Sequence, residues 1–409
     1  MQPRPLSLAL LALAASLAAQ GGTQSTSTPP TSQDGKTAID WKDLTRSGIP
    51  IKFYGFFRFD AYYNTARMNS VVTPFTVTQE NGVAAKQDDN EFFLDPRLTR
   101  FGFDVTPSKV GDTQVSGKLE IDFANFPAGV ADSRATPRIR VAWIDVMGDE
   151  FGFRVGQDWD VISPLYPAVN SETLMWNAGN TGDRRPQIQG RYTPKESAFD
   201  VKAALGLTGA VSNEDLDTPT GQRDGYDSGM PNVQVRVGVK SDLLVEKHPA
   251  EFGLWGAVGE TETDNAFGGK HRFGIWIAGL DASVPLSSEL TFRGEAWTGQ
   301  NLGDFRGAIG QSINTTTGEE IGATGGWGEI VFQATQRTRF HVGGTTDDPD
   351  NSDVQSGRPQ RNIAGYVGTV VDWDCGVRSG LDVIYWETDW KGQGVGNTVR
   401  FDLYFQYNF

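Results

Sequence analysis

From about residue 50 to the C-terminus the chain alternates apolar and polar residues with a period of two. The last segment is the clearest case. Val399, Phe401, Leu403, Phe405, Tyr407 and Phe409 alternate with Thr398, Arg400, Asp402, Tyr404, Gln406 and Asn408. Successive side chains of an extended strand point to opposite faces, so the six apolar groups share one face and the other carries charge and amide. Near the start of the pattern, Ile51, Phe53, Phe57 and Phe59 oppose Lys52, Tyr54, Arg58, Asp60 and Asn64. Val115, Leu119, Ile121 and Phe123 oppose Lys118, Glu120 and Asp122, and Val233, Val235, Val237 and Val239 oppose Gln234, Arg236 and Lys240. The pattern predicts sixteen strands, near 51–64, 97–106, 114–125, 137–147, 151–158, 184–192, 198–208, 231–241, 250–260, 270–284, 289–300, 323–333, 338–346, 360–373, 377–390 and 397–409.

The connections between these strands alternate in length. Short ones such as Pro107 to Thr113, Gly148 to Glu150, Thr193 to Ser197, Pro285 to Ser288 and Asp374 to Gly376 are interspersed with long ones near 66–96, 126–136, 159–183, 209–230, 301–322 and 347–359. A soluble sandwich also alternates, and a secreted protein of several sandwiches would account for the strands. It would not account for the loop alternation and the aromatic final strand together. Strands of ~10 residues, short turns on one rim and long loops on the other are the signature of an all-β, antiparallel transmembrane barrel with periplasmic turns and extracellular loops. Closure pairs every backbone group that lipid cannot satisfy. The apolar face then points to lipid, with an outer band including Phe57, Leu119, Val141, Phe153, Val235 and Phe401.

The N-terminus fits export. Met1-Gln2-Pro3-Arg4-Pro5 precedes an uncharged apolar stretch to Ala19, shorter than the ~20 residues of a spanning helix and ending in small residues. Residues 1–19 read as a signal peptide. Residues 20–48, rich in Gly, Thr, Ser and Pro, read as a flexible periplasmic leader, and 49–409 as the barrel. The composition agrees, with 49 Gly, 24 Phe, 11 Trp and 10 Tyr among 409 residues. An excess of 51 acidic over 36 basic side chains speaks against nucleic acid as a partner. A single Cys rules out a disulfide framework, and three His far apart in sequence give no metal-ligand spacing, so neither a metal nor a cofactor is expected.

Several motifs follow one another in order: Arg97-Leu-Thr-Arg100-Phe101-Gly-Phe103, Gly117-Lys-Leu-Glu120-Ile-Asp122-Phe123, Arg138-Ile-Arg140, Gly156-Gln157-Asp158-Trp159 and Arg191-Tyr192. The set resembles the DcaP-like outer-membrane porins, best over about residues 50 to 195. A chain ending in Phe409 at the close of an aromatic strand also resembles the assembly signal of Gram-negative outer-membrane proteins. The resemblance implies a trimeric sixteen-stranded channel in outer-membrane lipid, inserted by the barrel assembly machinery and associated with dicarboxylates and other small anions. There is one departure. The better-known members carry a coiled coil before the barrel, and residues 20–48 here show no heptads.

With apolar residues facing lipid, the alternate positions face the lumen. These include Arg58, Arg100, Lys118, Arg138, Arg140, Arg154, Arg185 and Arg191. Guanidinium groups bind carboxylates bidentately, and a basic wall concentrates anions in a narrow pore. The loop after the fifth strand, 159–183, holds Asp160, Glu172 and Asp183, no Lys or Arg, and Tyr166 and Trp176. It is too apolar for a solvated tip, and is expected to fold inward as a constriction whose acids face the arginines. Two alternatives stay open: the arginines serve only to pair with those acids, or the loop packs on a neighbouring subunit. Trp255, Trp276, Trp297 and Trp327 have inward parity and either form a slide for sugars or fill one side of the barrel. The acidic groups Asp347, Asp348, Asp350 and Asp353, and Glu214, Asp215, Asp217, Asp224 and Asp227, lack EF-hand spacing and read as solvated charged loops, with Ca²⁺ held by their clustered oxygens as the open alternative. His341 has inward parity but no serine or acid in a hydrolase motif, so no enzyme is expected. A structural or adhesin barrel is the rival to a porin.

Overall fold

The computed structural model describes residues 50–79, 89–125, 132–170, 173–212, 214–217 and 222–409. The expected signal peptide, the leader and Glu172 lie outside the described residues. The strands are β1 (Ile51–Asn64), β2 (Glu91–Asp95), β3 (Arg100–Val110), β4 (Thr113–Asn125), β5 (Thr136–Met147), β6 (Phe151–Trp159), β7 (Arg184–Tyr192), β8 (Phe199–Gly206), β9 (Asn232–Ser241) and β10 (Ala250–Thr263). They continue with β11 (His271–Pro285), β12 (Leu290–Gln300), the short pair β13 (Ile313–Asn314) and β14 (Glu319–Glu320), β15 (Gly322–Gln333), β16 (Thr338–Pro349), β17 (Pro359–Asp372), β18 (Val377–Trp390) and β19 (Gly394–Asn408). All but β13 and β14 join one antiparallel sheet, and β1 pairs with β19 to close it. Because β2 and β3 are two pieces of one stave, both paired with β1, the barrel has sixteen strands. No helix among the described residues is long and apolar enough to cross a membrane.

The predicted second strand, 97–106, therefore begins earlier than its alternation indicates and is broken in the middle. Pro96 has no N–H for the ladder. Asp95 Oδ1 accepts from the Arg97 N–H at 3.0 Å, and the Thr99 N–H turns back to the Pro96 carbonyl at 3.0 Å. Thr99 Oγ1 then stands in for the missing ladder, accepting from the Arg58 N–H at 3.1 Å and donating to the Arg58 carbonyl at 3.2 Å.

Closure uses the last residue. The Phe409 N–H donates to the Gly55 carbonyl at 3.0 Å and the Gly55 N–H returns to Phe409 at 3.2 Å. The Phe409 ring packs on Phe53 and Phe57, with centroids 5.6 and 5.1 Å away. A Cβ on Gly55 would meet that ring at 2.9 Å and the Arg100 carbonyl at 2.5 Å, so glycine permits the seam.

Side chains are arranged as in a lipid-facing barrel. Phe57, Leu119, Phe153 and Val235 are exposed, whereas Asp60, Asp122, Gln234, Glu295, Glu329, Asp382, Arg400 and Asp402 are enclosed. Val141 does not belong to the outer band: it is 5 % exposed. Glu120 pairs with Val141 but Ile121 with Ile139, so Arg140 is an extra residue and the parity of β5 flips at that bulge. Trp276 is a second correction. It is 40 % exposed, on the outer face of β11 opposite Val258.

The lumen is not uniformly polar. Trp255, Ile275, Ile277 and Trp297 on β10–β12 form an apolar inner wall with Ile162, Leu302, Phe305, Ala308 and Ile321 from loops. The two indoles lie flat against the sheet because their neighbours are Gly279 and Gly325, where any Cβ would collide with the rings. These tryptophans fill one side of the barrel and are buried, as is Trp327. A second cluster joins Met68, Val77, Val169 and Met175 to Tyr366, Ile384 and Trp386. Residues 65–79, 160–170, 173–183 and 301–321 thus all enter the barrel.

Candidate permeation pathway

The 160–183 loop leaves β6 and crosses the interior. Its neck is pinned where it starts and ends: the Asp160 N–H donates to the Asp183 carbonyl at 2.8 Å, and the Asp183 N–H to Asp160 Oδ2 at 3.0 Å. Beyond the neck its backbone is held by inward carboxylates of the far wall. Glu295 on β12 accepts from the Leu165 N–H at 2.9 Å and from Ser163 Oγ. Glu329 on β15 accepts from the Ala168 N–H at 2.8 Å, and Asp382 on β18 from both the N–H and the side-chain amide of Asn170 at 2.9 Å. Trp297 Nε1 donates to the Gly179 carbonyl at 2.7 Å, fixing the return leg. These acids stabilise the loop because each gives an orphaned backbone donor an acceptor in place of water, worth ~0.5–1.5 kcal/mol net. His341 Nε2 lies 2.6 Å from Asp382 and both side chains are fully buried, so that pair belongs to the loop anchor.

The predicted basic residues divide into two groups. Arg58, Arg100, Lys118, Arg138, Arg154 and Arg191 retain 13–28 % exposure on the inner face of β1 and β3–β7. Arg140 is nearly enclosed and Arg185 entirely so. Arg185 donates to Asp160 at 2.6 Å and to Asp304 of the 301–321 loop at 2.6 Å, with its guanidinium over the Phe305 ring. It is a tie between two loops and presents no surface to a passing solute.

The acids that meet the arginines also differ from expectation. Most sit on the same wall, two residues along or on the adjacent strand, and not on the loop. Asp60 takes Arg58 at 2.6 Å, and Asp122 takes Arg138 at 2.7 Å and Arg140 at 2.8 Å. Glu120 takes Arg140 at 2.9 Å and lies 3.5 Å from Arg100. Asp145 takes Arg154 at 2.9 Å and also Arg191, and Asp104 takes Lys118 at 2.9 Å. Asp160 and Asp183 stay at the neck. Burial alone would raise Asp183, but Arg306 and Arg184 outweigh it and hold its carboxyl below the usual range. A paired guanidinium keeps N–H donors beyond the two that a carboxylate occupies, so these side chains still offer hydrogen bonds to the lumen.

No protein-family model matches the sequence, and no curated protein does. Solved structures do match. The outer membrane channel DcaP of Acinetobacter baumannii is similar over 89 % of this chain and 99 % of its own, with a TM-score of 0.72 at 15 % identity. The anion-selective porin from Comamonas acidovorans is similar over 88 % and 99 %, at 0.59 and 13 %. OmpT of Vibrio cholerae, in its trimer form, is similar over 88 % and 99 %, at 0.54 and 13 %. The fold is that of the outer-membrane porins.

Within this porin fold several inward cations escaped the sequence reading. Arg184 stacks over Trp159 and Trp176 at 4.7 and 5.9 Å. Arg306, from the 301–321 loop, holds Asp183 at 2.8 Å and lies over Trp176 and Phe75. With Arg358, Asn69, Asn177 and Trp390 it lines a vestibule of about 400 Å³ formed by the loops. The signal was present, since Leu302, Phe305, Ala308 and Ile309 make this long loop as apolar as the 160–183 loop.

Proposed function

We propose that the chain is an outer-membrane porin, exported by its N-terminal segment, assembled as a homotrimer and passing small hydrophilic solutes. Within that class it favours anions such as dicarboxylates. The observation that carries this reading is the asymmetry of the lumen. The inward loop is held against β12, β15 and β18 by Glu295, Glu329 and Asp382, while six partly open Arg and Lys side chains stand on β1 and β3–β7 against three, Arg293, Arg339 and Arg378, on the inner face of β12, β16 and β18. Solute would pass between the two, moving from donor to donor along the guanidinium side. Anion selectivity in the Comamonas protein and the trimer of the Vibrio protein support the reading by likeness. Phe409 at the seam suits a strand recognised by the barrel assembly machinery. A second reading, a structural barrel without a passage, draws on the three loops that enter the lumen and their apolar packing. Single-channel recording in planar bilayers separates them. Discrete conductance steps are expected, and a silent membrane containing folded protein favours the structural barrel.

A further inference from the structure

A much smaller cavity lies between the 207–231 loop, the end of β10 and the 301–321 loop. It measures about 10 Å³, the room of one water-sized occupant. Oxygen-bearing side chains surround it: Glu214 and Asp224 from the first loop, Thr261 from β10, and Asn301, Asp304 and Ser312 from the last. No Lys or Arg is among its lining residues.

The carboxylates are not equivalent. Asp304 is fully used, accepting from Arg185 at 2.6 Å and from the Gly209, Val211 and Ser212 N–H groups at 2.9 Å. Asp224 is 1 % exposed. Its Oδ1 accepts from the Leu216 N–H at 3.1 Å, but its Oδ2 is enclosed and meets no donor. An enclosed carboxylate oxygen without a partner is costly, and such a group either takes a proton or a cation. Burial, reinforced by Glu214, Asp217 and Asp215 against the Leu216 hydrogen bond, pushes Asp224 up to about 7, and burial also raises Glu214. Of the basic groups nearby, Arg185 is committed to Asp160 and Asp304, and Arg358, which acts on Glu214 and partly offsets its burial, is not among the residues lining the cavity.

We propose that this cavity binds one divalent cation of the Ca²⁺ class, held by the carboxylates of Asp224 and Glu214 with neutral oxygens of Thr261, Asn301 and Ser312. Ca²⁺ takes six to eight hard oxygen ligands in flexible geometry, and a single-ion cavity walled by carboxylate, amide and hydroxyl oxygens matches that demand. The bound ion ties the 207–231 loop to the 301–321 loop and to the barrel rim. The inference does not depend on whether the barrel conducts. A nearby acidic group is the natural competitor. Asp217, Asp227 and Asp264 bring carboxylate oxygens within 4.8 Å of one another. Asp217, however, already accepts three backbone N–H groups at 2.7–3.1 Å, and Lys270 lies 3.5 Å from Asp264.

The test is a calorimetric titration of CaCl₂ into full-length, chelator-stripped protein in detergent, near pH 8 and again near pH 6. One Ca²⁺ per chain is expected. Affinity should fall at the lower pH, because protons compete with Ca²⁺ for the carboxylate ligands. Asp224→Asn should weaken binding at least ~10-fold at the higher pH, whereas Asp264→Asn should leave it unchanged. Circular dichroism and heat-shifted gel mobility establish that each variant is folded, and the wild-type titration stands without any variant. No binding to the wild type at millimolar Ca²⁺ overturns the proposal. So does binding that survives Asp224→Asn with less than that loss.

Discussion

Asp304→Asn probes how the interior loops are held. The Asp304 side chain spends one oxygen on the Val211 and Ser212 N–H groups and the other on Arg185 and the Gly209 N–H, all within 2.9 Å. It is 3 % exposed, and Arg185 is wholly buried. Asparagine keeps the shape but removes the charge and sets an NH₂ group against donors. Removing one partner of a buried ion pair costs ~3–5 kcal/mol. Arg185 keeps Asp160, so the lower end applies, about 3 kcal/mol, with each 1.4 kcal/mol a factor of ten. The loss falls on local opening of the 207–231 and 301–321 loops, while the barrel ladder is untouched. Hydrogen exchange at the Gly209, Val211 and Ser212 amides should therefore accelerate by ~100-fold, with the β9–β11 amides unchanged. Acceleration of less than ~5-fold at those three amides would refute the assignment of Asp304 as the hub.

Glu329→Ala removes the acceptor of the Ala168 N–H and of the Tyr366 hydroxyl, and the partner of Arg293 at 3.2 Å. It should free the middle of the 160–183 loop and raise both mean conductance and current noise in bilayers; an unchanged trace contradicts the anchor. Val235→Arg, on the exposed face of β9, should cost ~2–4 kcal/mol if near the bilayer midplane. Its neighbour Arg236 points inward to Asp281 at 2.7 Å. Arg236→Met should therefore lower stability through an unpaired Asp281 and be rescued by adding Asp281→Leu, whereas Val235→Arg should not be rescued by any inward change; denaturant titration in detergent reads both. Deleting Phe409 removes the reciprocal bonds to Gly55 and should leave the chain unassembled in envelope fractions.

The strands were legible because period two persists wherever one face meets lipid: Val233 to Val239 and Val399 to Phe409 place themselves without any tertiary information. The breaks in that period were not. Arg140 as an extra residue and Thr99 as a side-chain substitute for the ladder depend on the partner strand, which local sequence does not encode. Trp276 was misplaced because β11 is apolar on both faces, Ile275 and Ile277 inward and Trp276 and Leu280 outward, so alternation carries no sign there. The inward fold of the 160–183 loop was legible from its missing base and its aromatics. Its anchors were not, since Glu295, Glu329 and Asp382 lie more than a hundred residues away and look like any lumen acids. The acidic stretch around Asp224 read as solvated, yet Asp217 and Asp224 are 2 % and 1 % exposed, because burial there follows from packing on the 264–270 and 301–321 loops.

The central claim, that the basic side of the lumen sets selectivity, is tested most directly by the reversal potential of the reconstituted protein under a KCl gradient. Charges farther than a Debye length, ~8 Å at physiological salt, are screened, so the lining outweighs the net charge of −15. Cl⁻ should permeate better than K⁺, more so at low salt. Joint replacement Arg138→Ser and Arg140→Ser leaves Glu120 and Asp122 with fewer partners and should move the potential toward K⁺. A wild-type reversal potential on the K⁺ side would contradict the basic-wall mechanism while leaving the porin fold intact.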